Sequence, residues 1–306
     1  MWNKMNLYCR SLRTDKEIEP FVDNILQIRD KNQKRYAINK IAEAERNMTA
    51  YSELQTLTHK DNRDFEFRDA KKREELRNQI YTELKDLERL KSDDDIELGK
   101  GGAKPPTGIK AEKKMFYLIG PPASGKSTIA DTIADIAGAY ILDSDYAKRK
   151  LPEYNNQISA ASLVHEESDS LVFSYDNYNL LRYCIEKSYN MVIPKIGHNK
   201  ESIIKFASQL KQFKYSVFLI SIELDRVKAT QRAYNRFNTS GRYVPLSLVF
   251  DYYANDPTLN YFKIKQLNYD MFDGYAQIST DVLKGNSPIL LECINIDEIK
   301  NTFGGE

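Results

Sequence analysis

Between residues 14 and 90 the chain is highly charged, and its apolar side chains recur every three or four residues. The spacing is clear in Ile18–Ile28 and in Leu76–Leu87, and it is weaker in Tyr36–Ala42. A repeat of this kind places the apolar side chains on one face of a helix. The pattern therefore predicts three or four helices, the last of them long and lined with pairs of Glu, Lys and Arg.

The helical pattern ends in a segment that is typical of a linker or an exposed loop. Lys91–Lys110 contains a run of aspartates, a pair of glycines and a pair of prolines. Such a composition neither buries a core nor continues a helix. We therefore divide the chain into an all-helical region at 1–95, a linker at 96–112 and a second domain at 113–306.

The pattern after the linker alternates short apolar runs with helical stretches. Alternation of this kind predicts an α/β domain in which a mainly parallel sheet is flanked by helices. The predicted strands are Met115–Ile119, Ala139–Leu142, Met191–Ile193, Tyr215–Ile222 and Ile289–Cys293. The predicted helices are Ser127–Ala137, Ala160–Ser188, Lys200–Phe213 and Asp225–Phe237.

Composition narrows the classes of protein to which the chain can belong. The 45 Lys and Arg residues nearly balance the 44 Asp and Glu residues, and a formal charge of +1 argues against long nucleic acids as partners. The three cysteines and three histidines are too scattered for a disulfide framework or a zinc site. No run approaches the roughly 18 apolar residues of a membrane span, and a secretory signal is not expected. These features predict a cytoplasmic protein without a membrane partner.

One motif fits the pattern G-x-x-x-x-G-K-[ST] at every specified position. It follows a predicted strand and opens a predicted helix, as a phosphate-binding P-loop requires. Backbone N–H groups and the helix N-terminus bind phosphate oxygens in such a loop, the lysine reaches the β- and γ-phosphates, and the final hydroxyl coordinates Mg²⁺. The residues predicted to bind the nucleotide, ATP or GTP, are Gly120, Pro121, Pro122, Ala123, Ser124, Gly125, Lys126, Ser127 and Thr128.

Two carboxylates follow the next predicted strand. Asp143 and Asp145 come directly after it, and the carboxyl ends of parallel strands face the ligand crevice. One carboxylate could hold Mg²⁺, while the other could accept the proton of an attacking hydroxyl. Alternatively, Asp143, Ser144 or Asp145 could cap the helix that begins at Tyr146.

Three further stretches together resemble the zeta toxin family of small-molecule kinases, over about Lys113 to Tyr261. They are Asp143–Tyr154, Val164–Ser168 and Gly241–Pro245. The resemblance implies the P-loop kinase fold and the phosphorylation of the 3′-hydroxyl on the amino sugar of UDP-N-acetylglucosamine. It also implies a small helical antitoxin that covers the nucleotide site.

The resemblance assigns roles to single residues. It makes Asp145 the catalytic base, assisted by Lys126, and it pairs Arg232 with Arg242 as a clasp around the transferring phosphoryl group, a role that suits guanidinium forks. Arg232 could instead form a surface salt bridge, and Arg236 could take its place. Mg²⁺ is assigned to Ser127 and Asp143. The residues expected to contact the acceptor are Asp143, Lys148, Glu166, Glu167 and Lys195.

One departure from the family concerns the acceptor. The best-known members carry an acidic Glu-Gly-Thr segment after the third strand, whereas this chain has a prolyl turn at Pro194 followed by the cation Lys195. The acceptor can therefore differ from UDP-N-acetylglucosamine, which is the leading candidate.

Three functions are compatible with these patterns. The first is a kinase that acts on a nucleotide sugar, the second is a polynucleotide or nucleoside kinase, and the third is a nucleotide-binding interaction protein without phosphotransfer.

The N-terminal helices have two interpretations of their own. They could be an antitoxin-like inhibitor fused in cis, or they could be an oligomerisation or partner-binding module. In the family that the chain resembles, the antitoxin usually acts in trans.

Overall fold

A six-stranded sheet forms the centre of the computed structural model, which describes residues 9–51, 54–155, 160–174, 178–283 and 285–304. The strand order is β2-β3-β1-β4-β5-β6, in which β6 alone runs antiparallel to its neighbour. The predicted α/β class with a mainly parallel sheet is confirmed. The strands are β1 Lys114–Ile119, β2 Ala139–Ile141, β3 Asn190–Lys195, β4 Ser216–Glu223, β5 Gly274–Ser279 and β6 Ile289–Ile294.

Helices surround the sheet and also form the N-terminal region. The predicted helix Ala160–Ser188 is wrong as a single element, since one helix ends at Phe173 and the next begins at Leu180, and residues 175–177 lie outside the described part. The helices are α1 Asp15–Phe21, α2 Lys31–Tyr51, α3 Ala70–Asp86, α4 Lys126–Ala137, α5 Ser144–Lys150, α6 His165–Phe173, α7 Leu180–Lys187, α8 Lys200–Gln212, α9 Arg226–Ser240, α10 Asp256–Leu267 and α11 Asp297–Phe303. π-Helical turns occupy Val22–Leu26 and Leu248–Tyr253.

The N-terminal helices divide between two hydrophobic cores. Leu76, Ile80 and Leu84 of α3 are buried in the main core with the residues of the sheet. The helices α1 and α2 instead pack on α9 and on the segment after it. Their shared core contains Leu12, Ile18, Phe21, Val22, Leu26, Ala37, Ile38, Ile41, Ala229, Ala233, Tyr234, Phe237, Tyr243, Leu246, Val249 and Phe250.

The predicted linker is exposed over much of its length, but a turn within it packs against the rest of the protein. Its residues Ile96 and Ala103 are buried, and a Cβ added to Gly102 would lie 2.2 Å from the carbonyl oxygen of Leu87. The Nζ atom of Lys150 on α5 donates to the carbonyl oxygens of Glu97 at 2.9 Å and Lys100 at 3.0 Å. The polar composition therefore serves a tight turn that caps a buried lysine, which is why it does not form an open tether.

No helix within the described ranges is long and apolar enough to cross a membrane. The apolar faces of the helices are instead used within the two hydrophobic cores. The boundaries of the N-terminal region and of the second domain, at residues 95 and 113, stay a prediction.

Candidate functional site

The P-loop lies where the carboxyl ends of β1, β3 and β4 meet. A Cβ added to Gly120 would lie 2.6 Å from the carbonyl oxygen of Ile222 on β4, so only glycine fits there. The N–H of the same glycine donates to the carbonyl of Ile196, beyond β3, at 3.1 Å. The loop closes at Gly125, whose φ of 85° is in the left-handed region, and α4 begins directly after it. The loop thus faces the crevice of the sheet.

The cation of Lys126 points back into the loop. Its Nζ donates to the carbonyl oxygens of Gly120 at 2.8 Å and Pro121 at 2.7 Å. Burial lowers the pKa of this lysine to about 7, although the charge of Asp143 acts in the opposite direction. A desolvated cation held only by carbonyl dipoles suits an incoming anion, and the loop therefore fits the phosphates of a nucleotide.

The other P-loop residues differ in what they offer a ligand. Ser127 and Thr128 lie in the first turn of α4 and are exposed, so their hydroxyls are free to approach a phosphate or a metal ion. Pro121 and Pro122 are buried. The hydroxyl of Ser124 is buried without a hydrogen-bond partner among the described residues. An unsatisfied hydroxyl within the loop is a further feature that a bound oxyanion would complete.

The two carboxylates after β2 make different contacts. Asp143 caps α5, since its side chain accepts from the N–H of Asp145 at 2.9 Å, and burial raises its pKa although Arg242 and Lys148 oppose the rise. Asp145 projects from the first turn of the helix. Its carboxylate is paired with Lys148 at 2.9 Å and with the guanidinium of Arg242. The capping role applies to Asp143, while Asp145 faces other charged groups.

The arginines expected to form the clasp approach the loop from two directions. Arg242 meets Asp145, as described above. The Nη2 atom of Arg232 donates to the carbonyl of Thr280 at 2.9 Å, and the hydroxyl of Thr280 donates to the carbonyl of Ser124 at 2.6 Å. Arg232 is thus connected to the P-loop through one residue and does not form a surface salt bridge. Arg236 is half-buried, and its Nε atom has no partner among the described residues.

A second charged group lies beside the carboxylates, on the side expected to hold the acceptor. Asp169 of α6 accepts from the hydroxyl of Ser144 at 2.8 Å and from the Nζ of Lys195 at 3.3 Å. The same ammonium lies 3.7 Å from the centre of the Phe173 ring. Glu166 has an exposed side chain at the start of α6. These residues form the open flank of the site.

Glu167 does not belong to that flank. Its carboxylate is fully buried and accepts from Arg73 at 2.6 and 2.7 Å, from Arg77 at 2.8 Å and from the hydroxyl of Thr56 at 2.5 Å. Burial alone would raise the pKa of this carboxyl group, but the guanidinium of Arg73 outweighs burial and lowers it to about 2. The expectation that Glu167 contacts the acceptor is therefore corrected. Its carboxylate instead pairs with Arg73 and Arg77 and so joins α6 to α3.

The expected turn at Pro194 is also corrected, because this proline lies inside β3 opposite Leu118. The carbonyl of Val192 accepts from Leu142 on the β2 side. Residues two apart in a strand point to the same side, so the missing N–H of Pro194 also faces that side. Since β2 ends at Ile141, no ladder hydrogen bond is lost there. Lys195 is therefore the last residue of a strand and not part of a turn.

The N-terminal helices contact both sides of the site. Ala123 of the P-loop packs against the core that α1 and α2 share with α9. Glu45 of α2 accepts a hydrogen bond from the hydroxyl of Tyr243, next to the clasp arginine. Gln55, which follows α2, accepts from the N–H of Glu166 at 3.1 Å. Glu45 therefore contacts the clasp side, and Gln55 contacts the acceptor side.

Sequence reasoning missed several residues of the site. Asp169 lies three residues after Glu166 on the same helix, and that spacing alone indicates a shared face. Thr280 gave no local signal, since it lies 156 residues from the P-loop residue Ser124 that it contacts.

Comparison with known proteins gives one family match. Residues 101–257, just over half of the chain, match a model of the family described as Zeta toxin. No curated protein matches the chain at a significant level.

Similar solved structures are remote. A structure from the PezAT chromosomal toxin-antitoxin system of Streptococcus pneumoniae is 15% identical, over 76% of this chain and 87% of that one, with a TM-score of 0.47. A structure of AvrRxo1-ORF1:-ORF2 with ATP is 16% identical, over 80% of this chain and 74% of that one, with a TM-score of 0.48. A gluconokinase from Sinorhizobium meliloti is 12% identical, over 57% of this chain and 86% of that one, with a TM-score of 0.28. Likenesses of this strength carry no argument about activity.

Proposed function

The chain belongs to the zeta toxin family of P-loop kinases, and from this premise we propose that it transfers the γ-phosphoryl group of ATP or GTP to a hydroxyl of a nucleotide sugar. UDP-N-acetylglucosamine is the leading candidate for the acceptor. The observation that carries the proposal is the carboxylate of Asp145, which lies at the crevice of the sheet in contact with Arg242. A protein that only binds nucleotide has no need of a proton acceptor at that position.

The donor nucleotide is assigned to the P-loop. Its backbone N–H groups and the α4 N-terminus favour negative charge, and the buried cation of Lys126 is expected to leave the loop carbonyls for the β- and γ-phosphates. Ser127 and Asp143 are proposed to hold Mg²⁺, which would offset the negative charge of the phosphates when bound. The exposed hydroxyl of Ser127 and the desolvated carboxyl of Asp143 are oxygen ligands of the kind that Mg²⁺ prefers.

Proton transfer is assigned to Asp145. Its carboxylate accepts the proton of the acceptor hydroxyl as the oxygen attacks the γ-phosphorus, and general-base catalysis of this kind contributes about 10²–10⁴-fold to the rate. In the structure the same carboxylate is paired with Lys148 and Arg242. We propose that Arg242 moves to the γ-phosphoryl oxygens, together with Arg232, when the donor binds, so that the base is released as the clasp forms.

The acceptor is assigned to the flank formed by Lys148, Asp169, Lys195 and Glu166. The carboxylates of Asp169 and Glu166 can accept hydrogen bonds from sugar hydroxyls. The two lysines suit phosphate groups of the acceptor.

We further propose that α1 and α2 inhibit the kinase in cis, in the manner of an antitoxin. Three contacts support this: Ala123 of the P-loop packs against the core that α1 and α2 share with α9, Glu45 binds the residue after Arg242, and Gln55, which follows α2, binds the start of α6. A tethered inhibitor has an effective concentration on the order of millimolar, so modest contacts suffice to keep a site covered.

The kinase proposal is tested by incubating the protein with ATP or GTP and Mg²⁺ and with a panel of nucleotide sugars, nucleosides and oligonucleotides. Mass spectrometry reports the gain of one phosphate by an acceptor. We expect a nucleotide sugar to gain it, and Asp145→Asn to abolish the gain while nucleotide binding persists, whereas Asp270→Asn, an exposed remote carboxylate, should change nothing. Transfer to nucleosides or oligonucleotides alone would replace the proposed acceptor class. Nucleotide binding without transfer to any acceptor would favour the interaction protein.

A further inference from the structure

Two arginines in this site have buried donor atoms that nothing in the described part of the chain satisfies. The side chain of Arg149, on α5, is 5% exposed, yet its Nε and Nη2 atoms have no hydrogen-bond partner. The Nε atom of Arg236, on α9, is buried and unpaired in the same way. Buried guanidinium donors are normally paired, because leaving them unpaired in a low-dielectric interior is unfavourable.

The two arginines belong to one charged cluster beside the carboxylates. Burial lowers the pKa of Arg236, and the positive charge of Arg149 lowers it further, whereas the carboxylate of Asp94 acts in the opposite direction. Arg236 also acts electrostatically on Lys126 of the P-loop, and Asp143 acts on both of them. Arg149 lies one helical turn after Asp145 on α5, so these two side chains share a face of that helix.

An acidic turn covers this cluster. Asp93–Asp95 forms a single turn of 3₁₀-helix, and the Nη1 atom of Arg149 donates to the carbonyl of Asp93 and forms an ion pair with the carboxylate of Asp94 at 2.9 Å. The carboxylate of Asp94 is 57% exposed, so it rests on the guanidinium from the solvent side. Asp95, one residue further, is exposed, and Arg149 contacts only the two aspartates before it within the described turn.

The geometry points to a second phosphate-binding subsite formed by Arg149 and Arg236, over which Asp94 sits as a built-in substitute for the ligand. We propose that its ligand is a phosphate or diphosphate group of the acceptor. A single carboxylate cannot supply the unpaired Nε and Nη2 donors of Arg149 together with the Nε of Arg236. A diphosphate presents many more acceptor oxygens, and planar guanidinium forks match phosphate geometry. When the diphosphate enters, it displaces the acidic turn, and its oxygens replace the contacts that the turn makes with the arginines.

The subsite rests on the proposed function in one respect, namely that the cleft holds an acceptor next to the donor. It narrows that acceptor to molecules that carry a phosphate near the reacting hydroxyl, as nucleotide sugars and other nucleotides do. Neutral sugars and unphosphorylated nucleosides would leave the arginine donors unpaired. Because unpaired buried donors are energetically unfavourable, the subsite selects against these molecules.

The test uses inorganic pyrophosphate as the probe and calorimetry as the readout, in full-length protein that carries Lys126→Ala to weaken the P-loop. In that background we expect pyrophosphate to bind. Asp94→Asn should tighten binding by about 3- to 5-fold, because an exposed ion pair is a weak competitor that the substitution removes. Asp95→Asn is the matched control with the same change of charge, and it should leave the affinity unchanged.

Removing the subsite itself gives the opposite result. Arg149→Gln should weaken pyrophosphate binding by at least about tenfold, since charge-assisted hydrogen bonds are lost. If Arg149→Gln does not fold, as judged by circular dichroism, Arg149→Lys retains the charge without the fork and should also weaken binding. Equal affinity in the Asp94, Asp95 and Arg149 variants, or no binding in any of them, would overturn the proposal. The titration measures binding without turnover. Pyrophosphate can therefore bind as proposed even if no acceptor is phosphorylated, and it can fail to bind even if the kinase is active.

Discussion

The hydroxyl of Tyr243 donates a hydrogen bond to the carboxylate of Glu45, so that α2 is fastened to the residue that directly follows Arg242. Burial raises the pKa of Glu45, and the hydrogen bond from Tyr243 acts in the opposite direction by stabilising the ionised form. The contact therefore joins the N-terminal helices to the arginine that pairs with the predicted base. It makes the position of that arginine depend on the docking of α2.

Replacing Tyr243 by Phe removes this hydrogen bond while preserving the buried ring. We expect the free energy of unfolding to fall by about 1.5–3 kcal/mol, the range for hydrogen bonds to charged groups, as measured by urea denaturation. Phosphotransferase turnover should rise, because α2 releases the clasp more readily. Tyr36→Phe, at an exposed ring on the same helix, is the control and should change neither quantity. A stable Tyr243→Phe protein with wild-type turnover would separate α2 from regulation.

Two truncations should behave differently because the N-terminal helices belong to two cores. Removal of residues 1–53 takes away α1 and α2, and it should raise turnover and make expression toxic to the host. Removal of residues 1–95 also takes Leu76, Ile80 and Leu84 from the main core, and that protein should be insoluble. Co-expression of residues 1–53 as a separate chain should suppress the toxicity of the shorter truncation. Adding Asp145→Asn to the shorter truncation should also remove the toxicity. If the shorter truncation alone, with neither the co-expressed segment nor Asp145→Asn, leaves growth unchanged, cis-inhibition is wrong.

Nucleotide affinity should depend on pH through Lys126, whose pKa is lowered to about 7 in the free protein. A bound triphosphate favours the charged form and raises this pKa, so binding takes up a proton at pH 8. Affinity should therefore be highest below pH 7 and should decrease as the pH rises above 7. Calorimetry in buffers of different ionisation enthalpy measures the proton uptake. Lys126→Arg stays protonated and should flatten the dependence, whereas an identical pH profile in that variant would assign the titration to another group.

The clasp role of Arg242 is tested by its replacement with Lys. The substitution keeps the charge but loses the two-pronged guanidinium, so we expect kcat to fall by about tenfold or more while the affinity for nucleotide changes little. Steady-state kinetics with a saturating acceptor measures both parameters. Arg226→Lys, which alters a guanidinium packed on Phe250 in the core that α1 and α2 share with α9, serves as the control. If kcat is retained in Arg242→Lys, Arg242 serves only to hold Asp145 in the ligand-free state.

The buried ion cluster around Glu167 predicts a dependence of stability on pH. Its folded pKa of about 2 lies below the value of about 4.3 for an unperturbed glutamate. The stabilisation is thus fully present above the unfolded value, and it is lost as the pH falls toward 2. Glu167→Gln should cost about 3–5 kcal/mol at pH 7, because it leaves Arg73 and Arg77 with too few counter-charges.

Urea denaturation at pH 7 and pH 3 measures this effect. The matched control is Glu166→Gln, which changes the exposed neighbour and should leave the unfolding free energy within about 0.5 kcal/mol of the wild-type value. Equal stability of the two variants would mean that the cluster around Glu167 contributes little to folding.

The sequence predicted the elements of the sheet more reliably than the contacts of the helices. Five strands were predicted because their apolar residues are mostly continuous, whereas β5 was missed because Gln277 divides its few apolar residues. The P-loop was identifiable since its chemistry depends on a contiguous motif. The helices between residues 14 and 90 were predicted by their spacing, but spacing does not specify the surface against which an apolar face packs.

The assignment of Glu166 and Glu167 shows where such reasoning stops. Consecutive helical residues point about 100° apart, so one of them faces the interior and the other faces solvent. Which one is buried depends on Arg73, which lies 94 residues earlier in the chain. In the same way, the aspartates at 93–95 were interpreted as a solvated linker because the arginine they contact belongs to a helix that only the folded sheet brings near.

The packing of α1 and α2 on α9 has a consequence for the order in which the protein is made. A ribosome releases the N-terminal helices before the P-loop strand and well before the helix that carries Arg232. When the last elements of the kinase emerge, the segment that contacts Ala123 and Tyr243 is already present in the same molecule. A kinase whose inhibitor was a separate product would be uncovered until the two met by diffusion. Under the proposed cis-inhibition, the time between the formation of the site and its closure is set by folding within one chain rather than by the encounter of two proteins.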